Sequence, residues 1–315
     1  VAYATIWLQP RLGTDVALLN GMVREIIANN WVDHSFIESR VEGGMQAFLE
    51  LKELVEKYTP EVTEKITGVP AQKIKDAARI YATAKTAMVA TGMGMSQQVT
   101  GTHNVFSLLN MILVTGKIGK DRCGIDPPRG QNNVQGATDV GCHPAMYPGY
   151  IPVSDVENRR KVAQVWGVPF ERLSDRPGLT TVEIIQAAYH GKIKGLYIMG
   201  ENPMISDPNL NHTEEALQKL DFLVVQDIFH TETTRFAHVV LPASSWAEKN
   251  GTFVNSDRRV LRVRKAVDCP GEAREDWRII HELAARMGKP MPNYRNEAEI
   301  FDELARVTPI MAGIS

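Results

Sequence analysis

Apolar residues recur with helical spacing from Val16 through Leu19, Val23, Ile26 and Ile27, which predicts a helix from Thr14 to about Asn29 with Thr14 as its cap. Gly13 permits a tight entry into it. The preceding Val1 to Leu8 reads as a strand, giving a strand-turn-helix unit. A second helix starts near Pro70 with Ile74, Ala77, Ala78 and Tyr81 in step, followed by a short strand over Ala87–Thr91 that runs into Gly92. A third runs from Thr102 to Thr115, burying Val105, Leu108, Leu109 and Ile112 and stopping at Gly116.

Between Gly141 and Arg176 the chain is rich in proline and glycine and reads as a long surface connection. Regular alternation resumes with a capping box, Thr180 and Glu183, on a helix carrying Ile184, Ile185 and Ala188. Strands are predicted at Gly195–Met199, Phe222–Val225 and His238–Leu241, with a crossover helix ending over Ala216–Leu220. Ile279, Ile280, Leu283 and Met287 mark an amphipathic helix closed by Gly288, and Asn296 caps another with Ile300, Phe301 and Leu304. Strand-helix alternation of this kind predicts an α/β fold with two doubly wound, Rossmann-like parallel-sheet cores.

The 315 residues can hold two such cores, and 43% hydrophobic with 23% charged residues is the composition of a globular protein. A formal charge of -2 gives no global attraction to nucleic acid or anionic membranes. The basic run Arg258, Arg259, Arg262, Arg264 and Lys265 alternates with Val260, Leu261 and Val263 and reads as an exposed strand face. No apolar run approaches the roughly 18 residues that span a membrane, and the first residues lack the order of a secretory signal. Cys123, Cys142 and Cys269 are too few for a disulfide framework or a four-thiolate cluster, which reads as a reducing, cytoplasmic compartment, with periplasmic export of the parent chain as the open alternative.

The candidate chemistry centres on Arg129-Gly130-Gln131-Asn132-Asn133-Val134-Gln135-Gly136-Ala137, where one guanidinium and four side-chain amides crowd between glycines. Such a run is costly unless something binds it. The arginine fork suits a carboxylate or phosphate, and the amides suit the edge of a heterocycle. Glycine-bearing turns at Gly13, Gly92, Gly94 and Gly200 follow strand candidates, where a backbone can approach a pyrophosphate. Asp15, Glu201, Asn202, Gln226 and Asp227 stand at those strand ends, and a carboxylate there reads a ribose hydroxyl or the amino-imine edge of guanine. Each of Asp15, Asp227 and Asp276 alone also reads as a helix cap or dipole partner. Gly92-Met93-Gly94-Met95-Ser96-Gln97 lacks the third glycine of a dinucleotide fingerprint, no phosphate-loop motif is present, and His281-Glu282 lacks the second histidine of a zinc protease.

The polar run, preceded by Thr115-Gly116-Lys117-Ile118-Gly119 and followed by Tyr147-Pro148-Gly149-Tyr150, closely resembles the molybdopterin-dependent formate dehydrogenases, within the larger molybdopterin oxidoreductase family. The similarity continues through Met199-Gly200-Glu201-Asn202-Pro203, Val225-Gln226-Asp227-Ile228-Phe229, Ser244-Ser245-Trp246 and Gly251-Thr252-Phe253. Most of these motifs are shared by the wider family; the Arg-Gly-Gln-Asn-Asn run is the part that points to formate.

The resemblance implies a molybdenum or tungsten ion held by two molybdopterin guanine dinucleotides, one with each core. It places Gly13, Thr14 and Asp15 on one nucleotide, Met93 and Gln97 along the pterin near the metal, and Gln131 at the pterin edge. Gly200, Glu201, Asn202 and Ser206 would bracket the other pyrophosphate or ribose, with Gln226, Asp227, Ser244, Lys249 and Asp276 around its guanine. Ala243 stands where some relatives carry a hydroxyl, and Asn202 where some carry aspartate. Arg129 is the catalytic candidate, holding formate during its two-electron oxidation to carbon dioxide; its alternative is a salt bridge within the loop. No metal ligand is assigned: the three cysteines read as ordinary thiols, and His103, His143, His230 and His238 as structural.

Family members carry a [4Fe-4S] segment and the metal-ligating cysteine or selenocysteine ahead of this point, so the chain reads as an internal piece, inactive by itself. Its implied domains are 1–131, the C-terminal part of a first dinucleotide-binding domain; 132–246 with 275–296, a second; and 247–274 with 297–315, parts of the domain that packs with the iron-sulfur segment. Iron-sulfur or flavin electron-transfer subunits are the implied partners, with no nucleic acid and no membrane insertion. Three other readings stay open: another molybdopterin oxidoreductase such as a nitrate reductase, a non-catalytic scaffold, and a nicotinamide dehydrogenase.

Overall fold

The computed structural model describes residues 3–289 and 291–314, which divide into two compact units, residues 1–131 and 132–315. In the first unit the chain forms α1 (Asp15–Ala28), α2 (His34–Arg40), α3 (Gly44–Val55), α4 (Pro60–Thr67), α5 (Ala71–Thr83), β1 (Met88–Ala90), α6 (Met93–Ser96), α7 (Gly101–Val114) and β2 (Gly124–Asp126). β1 and β2 pair in parallel, Val89 opposite Ile125.

The apolar stripe of α1 explains its place at the centre. Val23 and Ile26 are fully buried and pack in one cluster with Ile37, Val55, Val69, Ile74, Ala78 and Ile112, drawn from the surrounding helices and loops. Gly116 ends α7 in the left-handed region at φ 58°, and an added Cβ there would also strike the carboxylate of Asp33 at 2.5 Å.

Two expectations for this unit are corrected. Residues 3–8 form no strand, and Val1 and Ala2 lie outside the described residues; among the described residues the segment finds no strand to pair with, and a strand exists only through its neighbour's hydrogen bonds. Thr14 occupies the N-cap position of α1 without capping it: its hydroxyl donates instead to the Arg11 carbonyl at 2.6 Å. A hydroxyl that serves the turn cannot also serve the helix.

In the second unit follow α8 (Val134–Asp139), β3 (Met146–Tyr147), β4 (Ile151–Pro152), α9 (Val156–Trp166), α10 (Thr181–Tyr189), β5 (Gly195–Met199), α11 (Pro203–Ser206), α12 (Leu210–Gln218), β6 (Phe222–Asp227), β7 (Val239–Pro242), β8 (Gly251–Val254), β9 (Val260–Val263), α13 (Asp276–Arg286) and α14 (Glu297–Val307). β5, β6 and β7 form a parallel sheet in that order, so the mixed α/β class with parallel sheets is as predicted. Leu223 and Val225 project from β6 into a core with Ile185, Ala188, Ile198, Ala216 and Leu217. By the two-residue period, Val224 and Gln226 face the other side. The basic run lies on β9, paired antiparallel to β8.

The proline- and glycine-rich stretch from Gly141 to Arg176 is not all connection. It holds α9, capped by the Asp155 carboxylate on the Asn158 N–H at 3.0 Å and closed by Gly167 at φ 65°. Asp155 before a helical run was the available signal.

The predicted capping box forms in full at α10, where Glu183 accepts from the Thr180 N–H and hydroxyl, both at 2.8 Å. Those bonds, the backbone one first, hold the Glu183 carboxyl below its ordinary value of 4.5. Thr180→Ala is expected to destabilise the unit by about 1 kcal/mol, read from urea midpoints. Because the folded-state value is depressed, the carboxylate's contribution is complete above pH 4.5 and fades as pH falls through the folded value. The gap between wild type and variant should therefore narrow in acid.

Candidate functional site

In the first unit the predicted residues gather around α6. β1 ends and Thr91 continues its ladder by donating to the Asp126 carbonyl at 3.0 Å, after which Gly92 turns the chain into α6. Gly92 has φ −122°, a conformation open to any residue, and an added Cβ at Gly92 or Gly94 meets nothing within 4 Å among the described residues. Neither backbone strain nor packing within the chain accounts for these glycines, whereas the close approach of a ligand would. Met93 is half exposed, Gln97 is exposed, and the Gln97 N–H donates to the Met93 carbonyl at 2.7 Å.

Gln98, absent from the predicted set, ties the region together. Its amide donates to the Gly94 carbonyl at 2.8 Å and to the Asp15 carboxylate at 3.4 Å, linking α6 to the first turn of α1. Gly13 precedes that turn at φ 76°. The exposed Arg129-Gly130-Gln131 segment passes beside Met93, whose sulfur would lie 3.8 Å from a Cβ on Gly130. Met93, Gln97, Asp15, Arg129 and Gln131 thus belong to one unit, and the structure brings Met93 against the Arg129 segment.

The rest of the polar run is put to a different use. Asn133 adopts φ 61° and its side-chain amide oxygen accepts from the Val254 N–H at 3.0 Å, while Gln135 donates to Asp139 at 2.8 Å and to the Tyr150 hydroxyl at 3.0 Å. Gly136 is required by space, since a Cβ there would sit 2.1 Å from the Asn133 side chain. These amides hold α8 and the β8 edge, so part of the cost of the run is met inside the protein.

In the second unit the carboxyl edge of the β5–β7 sheet gathers two groups. Around Gly200, which has φ 65°, Ser206 donates to Glu201, and Asn202 donates to Glu232 at 2.9 Å while accepting from the Thr233 hydroxyl at 2.7 Å. The Asn202 bond lowers the Glu232 carboxyl; burial, then the charge of Glu201, raise Asp207. Asp227 accepts from the Phe229 N–H at 3.1 Å, shaping the turn after β6.

The other group is more tightly built. A parallel bridge between Ala243 and Arg274 docks the segment entering α13 beside the end of β7, which brings Asp276 over β6. Gln226, with no exposed surface, donates to Asp276 at 2.7 Å and accepts from the Tyr197 hydroxyl at 2.5 Å. Lys249 reaches the other Asp276 oxygen and donates to the Ser244 carbonyl at 3.2 Å. The Ser244 hydroxyl is buried and has no hydrogen-bond partner among the described residues. An orphaned hydroxyl beside a lysine and a carboxylate is a donor set suited to a polar ligand.

The profile of the molybdopterin oxidoreductases matches residues 1–286. The chain belongs to the molybdopterin oxidoreductase family. It is 48% identical over 312 residues to the F420-dependent formate dehydrogenase subunit alpha of Methanocaldococcus jannaschii, covering 98% of this chain and 45% of that one. With formate dehydrogenase H of Escherichia coli it shares 45% over 301 residues, covering 96% and 41%. The fold matches acetylene hydratase from Pelobacter acetylenicus with a TM-score of 0.74 at 22% identity, over 97% of this chain and 44% of that one. The chain therefore spans less than half the length of the formate dehydrogenase relatives it matches.

Family membership implies a molybdopterin cofactor, and the open-sided Gly92 and Gly94 and the orphaned Ser244 hydroxyl fit one. No helix among the described residues is long and apolar enough to cross a membrane. No group of three or more potential metal ligands occurs among them either, and Cys123, Cys142 and Cys269 are free thiols. His238 serves the sheet, its ring accepting from the Leu223 N–H at 3.0 Å.

Proposed function

We propose that this chain is the cofactor-seating and formate-binding part of a formate dehydrogenase catalytic subunit, with a molybdenum or tungsten bis(molybdopterin guanine dinucleotide) centre. One observation supports it most: in a chain 45–48% identical to formate dehydrogenase subunits, the parallel-sheet edge carries a partly exposed carboxylate, a lysine and an unsatisfied buried hydroxyl side by side. When bound, the centre supplies the acceptor for the two electrons released as formate becomes carbon dioxide.

The chain's own residues do the rest. Arg129 presents two parallel N–H donors to the formate oxygens, fixing the direction of the C–H bond. Met93, lying against that segment, excludes water from one side of the bound anion. Gly92 and Gly94 leave room for a pterin to approach the backbone, with Gln97 and Gln131 able to hydrogen-bond its edge. Gly13, Thr14 and Asp15 serve one nucleotide; Gly200, Glu201, Asn202 and Ser206 the phosphate and ribose side of the other. Lys249 adds charge for phosphate, and Ser244, Asp227 and Asp276 serve the guanine end. Gln226 is buried and acts through Asp276. Electrons leave through iron-sulfur or flavin partner subunits.

The test is the full-length parent protein purified from a cofactor-competent anaerobic host. Molybdenum or tungsten with two guanine nucleotides per metal, and reduction of a viologen dye dependent on formate, are expected. Turnover of nitrate without formate, or a preparation free of guanine, would overturn the reading.

A further inference from the structure

The side chains behind Asp276 form a chain of fixed polarity. Tyr197 on β5 is registered opposite Val224 and Met199 opposite Gln226, so Tyr197 and Gln226 share the sheet face turned away from the apolar core. An amide's oxygen and nitrogen are nearly the same size, and only the partners decide which way it points. Asp276, as a carboxylate, only accepts, so the Gln226 nitrogen must face it and the Gln226 oxygen must face Tyr197. Tyr197 is then compelled to donate. Burial, followed by the charge of Asp276, pushes its hydroxyl above the ordinary value, which keeps the proton in place.

The far end of the chain is reachable. Gln226 takes one carboxylate oxygen of Asp276 and Lys249 takes the other. A carboxylate offers about four lone-pair sites, so one on each oxygen is left for a ligand, and the Asp276 side chain keeps 26% of its surface exposed. Two parallel donors match that pair: the imino and amino groups of guanine. Hypoxanthine has one of them, and adenine sets a donor beside an acceptor.

We propose that Tyr197 is a positioning residue for guanine selection, locking the Gln226 amide so that Asp276 presents both oxygens to a two-donor purine edge. The inference rests on the reading of a guanine dinucleotide site in this unit. Without the hydroxyl, the fully buried Gln226 oxygen loses its donor, and an amide that rotates in search of another turns its oxygen on Asp276. The carboxylate then leaves its place, and the second bond to guanine goes first.

Titrating the full-length parent protein, made free of cofactor in a host that lacks molybdopterin synthesis, with GDP and IDP by calorimetry tests this, with thermal unfolding to confirm that variants are folded. Tyr197→Phe should weaken GDP binding about 10-fold, the scale of one hydrogen bond to a charged group, and leave IDP binding nearly unchanged. A parallel loss for both nucleotides, or no loss for either, overturns the inference while GDP binding by the wild type leaves the proposed function standing. Failure of the wild type to prefer GDP over ADP overturns both. Should Tyr197→Phe not fold, Gln226→Met carries the same comparison with the same two outcomes.

Discussion

Replacing Arg129 by methionine in the full-length protein is expected to lower kcat/KM for formate by about two to four orders of magnitude, and replacement by lysine by at least about tenfold. Formate is too small to offer other handles. Its affinity and its orientation both come from its two oxygens, which a planar guanidinium matches with parallel bonds and an ammonium, as a point charge, does not. Methionine keeps the length and much of the bulk of the stem, so Gly130 and Met93 can remain in contact. Steady-state kinetics with formate and a viologen dye measure the effect, and metal content verifies that the centre is loaded. Turnover within twofold of wild type in a loaded Arg129→Met protein would remove Arg129 from the substrate role.

The second large effect separates two glycines nine residues apart. Gly101 opens α7 where a Cβ would lie 1.9 Å from the Ser96 carbonyl oxygen, a backbone atom that no rotamer change can move. Gly101→Ala should therefore push α6 and α7 apart, break the 2.9 Å bond from the buried Asn104 amide to the Met95 carbonyl, and cost about 3 kcal/mol. Gly92→Ala meets open space and should alter stability by no more than about 0.5 kcal/mol. It should nonetheless reduce the molybdenum or tungsten retained by the full-length protein, because the methyl group stands where the ligand approaches. Urea midpoints and metal analysis of both variants decide. Equal metal retention in Gly92→Ala and wild type would show that its glycine has another cause.

Much of the fold was legible because its local signals agree. The Thr180 and Glu183 pair, Asn296 before α14, and the stripe of α1 each state one choice in a few residues, and the structure makes the same choice. Helices α2, α3 and α4 went unpredicted, although Asp33 and Thr59 both cap as expected of their types, with Phe36 and Val62 as donors. Their apolar faces are short and become coherent only against neighbouring helices, α3 and α4 on α1 and α2 on α3 and α7. The strand expected over Val1–Leu8 failed in its described part for the opposite reason: propensity was present and a pairing partner was not.

The candidate site divides in the same way. Sequence named Gln226, Ser244, Lys249 and Asp276, residues up to 50 positions apart, and the fold sets them together. It did not name Tyr197 or Gln98, since a tyrosine in an apolar strand and a second glutamine in a polar pair carry no signal until their partners are known.

By itself, then, the order of residues determined much of the alternation of helices and strands, the glycines after β1 and β5 and the stock of donors and acceptors near them, because those depend on backbone preference and periodicity within a few residues. Tertiary structure alone decided which amides stay inside the protein and which face outward. Asn133 and Gln135 are spent on β8 and Asp139, and Gln226 on Asp276, because a buried polar group must be satisfied by whatever the fold brings within about 3 Å.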